Sequence, residues 1–395
     1  MAERNRTASN IHHLQPNPDA EELRLRRGRG AVSNPTGRFE SQHRVRRDGM
    51  WDYRSDSDWQ SQGGLSTQGG DLDLPPLPPL RTSVIEEACR SAIVHNSSPD
   101  IPFDQSINPY RGCEHGCIYC YARPSHAYSG LSAGLDFETR LFSKPDIVET
   151  LKKELANPKY KCRMIALGTN TDCYQPVERE HGLMRGILET LHDARHPVGI
   201  VTKSHLVTRD IDLLADMAKD NLVHVFMSVT TLDRSLARAM EPRAATPPRR
   251  LDAIRQLAAA GIPVGVMVAP VVPALTDHEM ENILAAAQDA GAKRAGYLVL
   301  RLPFEIKELF REWLLENCPD RATRVLRQIH EIRGGRDNDP RFHTRMTGVG
   351  DNADLLASRF DIACRKLGLS TRDYDELETS LFTPPVLPGR QFSLF

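Results

Sequence analysis

The chain of 395 residues carries 51 Lys and Arg against 52 Asp and Glu, a formal net charge of −1. That balance excludes a protein that holds nucleic acid by bulk charge, while leaving room for a local basic patch. Hydrophobic residues are 40 % and charged residues 26 %, enough for a large core that needs no disulfide framework. Arg outnumbers Lys 41 to 10, which reads first as a base-composition bias of the coding sequence. Met1 to Arg6 lacks the apolar stretch of a secretory signal. The longest apolar run, Val264 to Val272, is nine residues and contains Pro270, where a spanning helix needs ~20. A soluble, cytoplasmic protein with no membrane association is expected. Its eight cysteines then sit in a reducing compartment, where clustered thiols signal metal or redox chemistry.

Residues 1–80 read as a disordered Arg/Gly/Pro-rich tail. Arg24 to Gly30 is an Arg/Gly run, Ser61 to Gly70 is rich in Ser, Gln and Gly, and Pro75 to Pro79 favours a polyproline II linker. From about residue 100 strand and helix signals alternate. Ile107 to Arg111 is a short strand candidate and Pro145 to Ala156 an amphipathic helix. Strand Arg163 to Leu167 runs into Gly168-Thr169-Asn170-Thr171-Asp172, followed by helix Leu183 to Arg195. Strand Val198 to Val201 precedes helix Asp210 to Lys219, and strand Leu222 to Val229 precedes helix Arg249 to Ala260. Strand Ile262 to Ala269, helix Asp277 to Ala290, strand Arg294 to Leu300 and helix Glu305 to Glu316 complete the series. Six strand–helix units, several with strands apolar on both faces, argue a parallel sheet with helices outside. They are too few for a closed eight-fold barrel. The expected fold is α/β, a partial (β/α)6 TIM-like barrel over 81–317, with the chemistry on loops after the carboxyl ends of strands. Residues 318–383 read as a mostly helical C-terminal extension, and 384–395 as a Pro-rich linker ending in a peptide motif.

The strongest signal is Asn108-Pro109-Tyr110-Arg111-Gly112-Cys113-Glu114-His115-Gly116-Cys117-Ile118-Tyr119-Cys120-Tyr121, just after the first strand. Three thiolates at Cys-x3-Cys-x2-Cys suit an iron–sulfur cluster, and Gly112 and Gly116 let a short loop wrap it. Three protein ligands leave one iron of a four-iron cluster open for chemistry. A zinc site built from the same cysteines with His115 or His126 as fourth ligand is the alternative.

Cys113-x3-Cys117-x-Tyr119-Cys120 after the first strand of a partial barrel resembles the radical S-adenosylmethionine (SAM) superfamily, over about residues 100–317. The extended form ending in Tyr121 looks like the DNA-repair photolyase group that includes spore photoproduct lyase. Gly168 to Asp172 and Glu241-Pro242-Arg243-Ala244 are similar to a bacterial branch of that group. The resemblance implies that Cys113, Cys117 and Cys120 ligate a [4Fe-4S] cluster whose open iron binds SAM. A reducing electron donor such as flavodoxin or ferredoxin then drives cleavage of SAM to a 5′-deoxyadenosyl radical. It places Tyr119 near the adenine and the loop Gly168 to Asp172 near the SAM ammonium. That loop lacks the common Gly-Gly-Glu form, and Thr169, Asn170 and Asp172 offer the oxygen acceptors instead. Ser228 is the candidate ribose contact and Arg243 the candidate partner of the SAM carboxylate.

The same resemblance implies a hydrogen-atom donor. Cys173, on the loop after the second strand, is on the correct face, and Tyr121 joins it as a candidate catalytic residue. Cys162 lies at the amino end of that strand, roughly 20 Å from the active face at ~3.3 Å per residue. Seven Arg between Arg321 and Arg345, the first three at i, i+3 and i+6, form a phosphate grip or a solvated helix face. The terminal Gln391-Phe392-Ser393-Leu394-Phe395 resembles the pentapeptide by which bacterial DNA polymerases and repair proteins hold the sliding clamp. The favoured function is a radical SAM enzyme on a large substrate, with damaged DNA first. A radical SAM enzyme modifying RNA or protein, and a zinc-stabilised adaptor without catalysis, are the competing readings.

Overall fold

The structure, a computed structural model, describes residues 28–40, 46–47, 50–51, 81–371 and 377–387. Gln391 to Phe395 lie outside the described residues. The chain divides into two units, Met1–Arg27 with His43–Leu80, and Gly28–Gln42 with Arg81–Phe395. In the first, Arg46–Arg47 and Met50–Trp51 pair as antiparallel two-residue strands.

The second unit is built on six parallel strands in sequential order. They are β1 (Gln105–Ile107), β2 (Ile165–Leu167), β3 (Val198–Thr202), β4 (Val223–Ser228), β5 (Val264–Val271) and β6 (Arg294–Val299). Each pairs in parallel with the next, as in Ile165 with Val198 and Val225 with Val264. Every residue of β4 is buried, as a central strand covered on both faces requires. The helices follow the amphipathic rule. In α1 (Leu183–Asp193) the buried residues include Met184, Ile187, Leu188 and Leu191, one stripe at helical spacing. In α2 (Pro247–Ala259) Pro occupies the first position and Gly261, at φ +78°, ends the run. Together the strands and helix stripes form one large apolar core.

The sheet does not close, and both of its edges are covered. Ile93–His95 pairs antiparallel with β1. At the other end Ser370 bridges Arg294, accepting from Ala295 N at 3.0 Å and donating to Lys293 O at 2.9 Å. The C-terminal extension holds helices Pro319–Ile332 and Asp351–Leu367. Residues 377–383 then return to the amino-end face, where Thr383 N donates to Ala194 O at 2.9 Å. Among the described residues no helix is long and apolar enough to cross a membrane.

Three local expectations change. The first strand splits after Ile107, because Asn108-Pro109 interrupts the ladder and Pro has no N–H to give. Tyr110–Arg111 instead joins Arg140–Ser143 and Ser83–Glu86 in a separate three-stranded sheet. Residues 28–40, read from composition as part of the tail, are largely packed against the barrel. Gly30 N and Ala31 N donate to the Glu138 carboxylate at 2.9 and 2.8 Å, and Asn34 exchanges two 3.1 Å hydrogen bonds with Asp136. The Arg run also divides. Arg333 is buried and donates to four backbone carbonyls, those of Val299, Leu300, Thr344 and Arg345. Arg345 pairs with Asp100 and Arg341 with Asp339, which leaves Arg321, Arg324, Arg327 and Arg336 exposed, with Arg327 3.8 Å from Glu331.

Candidate active site at the carboxyl ends of the strands

The cysteine loop sits after β1, at the carboxyl end of the sheet. Cys113 and Cys117 are buried and Cys120 is partly so; all eight cysteines are free thiols. The wrap is made by Gly116 N donating to Cys113 O at 3.3 Å and Cys120 N to Cys117 O at 3.2 Å. Gly116 has φ +68°, and a Cβ there would lie 2.7 Å from Glu138 Oε2. Burial pushes both the Cys113 and Cys117 thiols up, and the charges of Asp172, Cys117 and Cys120 push Cys113 further. Cys117 and Cys120 lie near enough to Cys113 to hinder its ionisation, and a metal centre that takes thiolates offsets that cost. The donor set therefore fits an iron–sulfur cluster.

Neither histidine considered as a zinc ligand is presented for the task. His126 Nε2 lies 2.8 Å from Arg140 O, and its ring packs edge-on against Phe137 and Phe142. His115 Nδ1 lies 3.4 Å from Asp172 Oδ2, within ion-pair reach but without hydrogen-bond geometry. Among the described residues no group of three or more His, Cys, Asp or Glu side chains, the three cysteines included, is drawn together about a metal position.

The loop is braced on all sides by residues that carry no motif signal. Gln175 accepts from Glu114 N at 2.8 Å and donates to Gly112 O at 3.1 Å. Arg123, fully buried, donates to Cys117 O at 2.9 Å, to Gly116 O at 3.1 Å and to Glu138 at 2.5 Å. Ile118 N donates to Met240 O and Arg243 N to His115 O, which ties the loop to the segment after β4. Gln175 and Glu138 were legible only as polar residues in buried company, a signal that needs the fold to be read.

The remaining predicted residues divide into those with committed polar atoms and those without. Tyr119 is buried, and its hydroxyl donates to Glu241 and meets Thr230 Oγ1 at 3.2 Å. Glu241 pairs with buried Arg250; burial alone would raise its pKa, but Arg250 and Lys203 hold it at about 2. Asp172 accepts from Thr202 Oγ1, Lys203 N and Tyr174 N at 2.7, 2.9 and 2.9 Å. Burial works against its charge, yet His115 and Lys203 keep its carboxyl well below the usual range. Arg243 is engaged by Glu114 at 3.1 Å. Ser228 ends β4, and its carbonyl accepts from Arg250 at 3.1 Å. Thr169 and Asn170 sit on the loop after β2, where Thr169 O accepts from the Tyr121 hydroxyl and Asn170 N donates to Asn108 Oδ1 at 3.1 Å. Tyr121 stands at the opening, half exposed. Cys173 lies on that same loop but faces inward; it is fully buried in the main core beside Tyr174. Cys162 is at the amino end of β2.

Lys203, after β3, is the cation that motif reasoning passed over. Its Nζ lies 5.8 Å from the centroid of the Tyr119 ring. Burial opposes its charge, but Cys117, Glu241 and Asp172 around it keep its pKa above the ordinary lysine value. No hydrogen bond engages its Nζ among the described residues.

Fold and loop together define a class: an open parallel partial barrel of six strands with three cysteines on one loop at the carboxyl end of its sheet. The signature described as the Radical SAM superfamily matches residues 107–287. An uncharacterized protein of Mycobacterium tuberculosis is 38 % identical over 244 residues, covering 60 % of this chain and 71 % of that one. An uncharacterized protein of Methanocaldococcus jannaschii is 30 % identical over 173 residues, covering 44 % and 62 %. Among solved structures, a spore photoproduct lyase variant aligns with TM-score 0.52 and 16 % identity over 72 % of this chain and 80 % of that one, a likeness of fold. The chain belongs to the radical SAM superfamily, whose members use a [4Fe-4S] cluster and SAM.

Proposed function

We propose that the protein is a radical SAM enzyme that acts on damaged DNA in the cytoplasm, in the manner of a photolyase-like lyase. The observation that carries the catalytic part is the placement of Cys113, Cys117 and Cys120 on one braced loop after β1. The DNA part is supported by the fold shared with spore photoproduct lyase over most of both chains.

On this reading the three cysteines hold the cluster, which, when reduced by a donor such as flavodoxin or ferredoxin, supplies the electron that cleaves SAM. Lys203 is better placed than Arg243 to meet the SAM carboxylate, because Arg243 is already engaged by Glu114 while Lys203 Nζ is uncommitted. Ser228 and the Thr169 and Asn170 side chains contact the ribose and the ammonium. Tyr119 and Asp172 are positioning residues: their polar atoms are spent on Glu241, Thr230, Thr202 and Lys203 N. Tyr121, at the opening, is the catalytic candidate that a substrate can reach; Cys173 is shut in the core.

The test is anaerobic reconstitution with iron and sulfide, followed by repair assays on UV-irradiated DNA, RNA and a bulk protein substrate. Loss of photoproduct from DNA alone supports the reading; turnover of RNA or protein alone contradicts it.

A further inference from the structure

Five aromatic side chains among the described residues are exposed: Phe39, Tyr121, Tyr128, Phe304 and Phe342. Four of them form one run. Phe39 stacks on Tyr128 with ring centroids 5.3 Å apart. The Arg38 guanidinium lies 5.5 Å from the Phe39 centroid and 4.2 Å from that of Phe304. Arg301, three residues before Phe304 on the loop after β6, lies 5.9 Å from the centroid of Tyr121. Exposures of 60, 75, 62 and 51 % for Phe39, Tyr128, Phe304 and Tyr121 leave most of each ring in water. Scattered singly such residues need no explanation; joined in a run they mark a binding surface.

The run is held firmly. Arg38 pairs with Glu305 at 2.6 Å and donates to Pro124 O at 3.1 Å, in the helical turn that follows the cysteine loop. Phe304 itself has φ +53°, a left-handed conformation that is costly for a bulky side chain and persists where the surroundings enforce it. The fold thus maintains a strained backbone to present a phenyl ring to solvent. Arg301 adds uncommitted charge. Its Nε is buried with no hydrogen-bond partner among the described residues, and its Nη1 reaches only the Met346 sulfur, at 3.7 Å. Burial and the nearby Arg345 both work against its cationic form, a penalty that an arriving anion removes.

We propose that this rim grips an unpaired stretch of DNA, with bases stacked on Phe304, Tyr128 and Phe39 and a phosphate on Arg301. Aromatic faces take any base, and a guanidinium beside them takes the backbone, which is the chemistry of single-strand recognition. The inference rests on the DNA reading above and narrows it to a strand opened at the lesion, since stacked rings cannot be reached by bases inside a duplex.

The experiment measures fluorescence anisotropy of a labelled 20-nucleotide DNA strand, the same sequence as duplex, and the same sequence as RNA. It uses the full-length reconstituted protein across a salt series. Binding of the DNA strand more tightly than duplex is expected. Phe304→Ala with Tyr128→Ala should weaken it roughly tenfold or more, the scale of a lost base stack. Arg301→Ala should flatten the slope of log affinity against log salt by about 0.7, one released ion, and Arg301→Lys should restore it. Iron content and melting temperature identify any variant that has misfolded; Phe304→Leu, which keeps the bulk and loses the ring, then takes its place. If no nucleic acid binds, both the rim and the DNA reading fall. If UV-irradiated DNA is turned over while the rim variants keep wild-type affinity and salt slope, the rim alone is overturned. Tighter binding of RNA than DNA overturns the assignment of the rim to DNA.

Discussion

Arg123 and Glu138, both sealed from solvent, meet at 2.5 Å directly behind the cysteine loop. The pair joins two elements that hold the loop from opposite sides. Arg123 donates to the carbonyls of Gly116 and Cys117, while Glu138 accepts from Gly30 and Ala31. Removing one partner of a buried pair strands the other charge, a loss of about 3–5 kcal/mol. Arg123→Met and Glu138→Ala are each expected to lower the unfolding free energy by that order and to reduce iron bound per chain. Denaturant titration and iron analysis check both; full iron loading in either variant would show that the brace is dispensable.

Gly30 matters for a different reason. A Cβ at that position would stand 1.8 Å from the Gly116 carbonyl oxygen, so even alanine cannot be seated without moving backbone. Gly30→Ala should release residues 28–40 from the loop, whereas Gly28→Ala, with no atom within 4 Å of its Cβ, meets no clash and costs only its φ of +78°. Limited proteolysis reads the outcome. New cleavage within 28–40 in the Gly30 variant, and little change for Gly28, is expected.

Much of this is legible in the sequence alone. The six strand–helix units were visible because strands buried on both faces must be continuously apolar, and helix faces repeat every 3.6 residues. The cysteine loop was visible because chemistry fixed its spacing. The supports were not. Gln175, Arg123 and Lys203 are ordinary polar residues whose roles depend on what the fold sets beside them, and Gly30 looked like flexible tail because composition cannot distinguish a glycine needed for slack from one needed for contact. Arg243 suited a carboxylate by type, until Glu114 was found to occupy it.

Three buried histidines set the acid limb of stability. Burial pushes His126 and His196 down to about 4 and His224 to about 3, from an ordinary 6.5. As pH falls below 6.5 the unfolded chain takes up protons that the folded chain refuses, so unfolding is favoured by about 1.4 kcal/mol per pH unit for each. His192, raised by Asp216, acts in the opposite sense. The paired carboxylates Asp212 and Asp216, held at about 2, lose their contribution only as the pH falls below their ordinary 3.8. Urea midpoints should therefore fall steadily from pH 7 to pH 5; a flat profile across that window contradicts this account.

The C-terminal peptide gives a prediction independent of the barrel. Thr383 is anchored at the amino-end face by Ala194 O. Burying a Leu and a Phe yields on the order of 3–6 kcal/mol before ordering costs. A peptide of residues 383–395 should bind bacterial sliding clamp in the micromolar range. Leu394→Ala with Phe395→Ala should abolish that binding. Titration calorimetry decides, and equal binding by both peptides would refute a clamp tether.

The central claim is that the loop after β1 cleaves SAM in the service of a DNA substrate. It is tested most directly by measuring 5′-deoxyadenosine from the reduced, anaerobically reconstituted protein, with and without UV-irradiated DNA. The account predicts production by the wild type that rises with damaged DNA, survives in Cys162→Ala, and is lost in Cys113→Ala, Cys117→Ala and Cys120→Ala alike. Undiminished 5′-deoxyadenosine from any of those three variants, or none from the wild type with a fully loaded cluster, would contradict it.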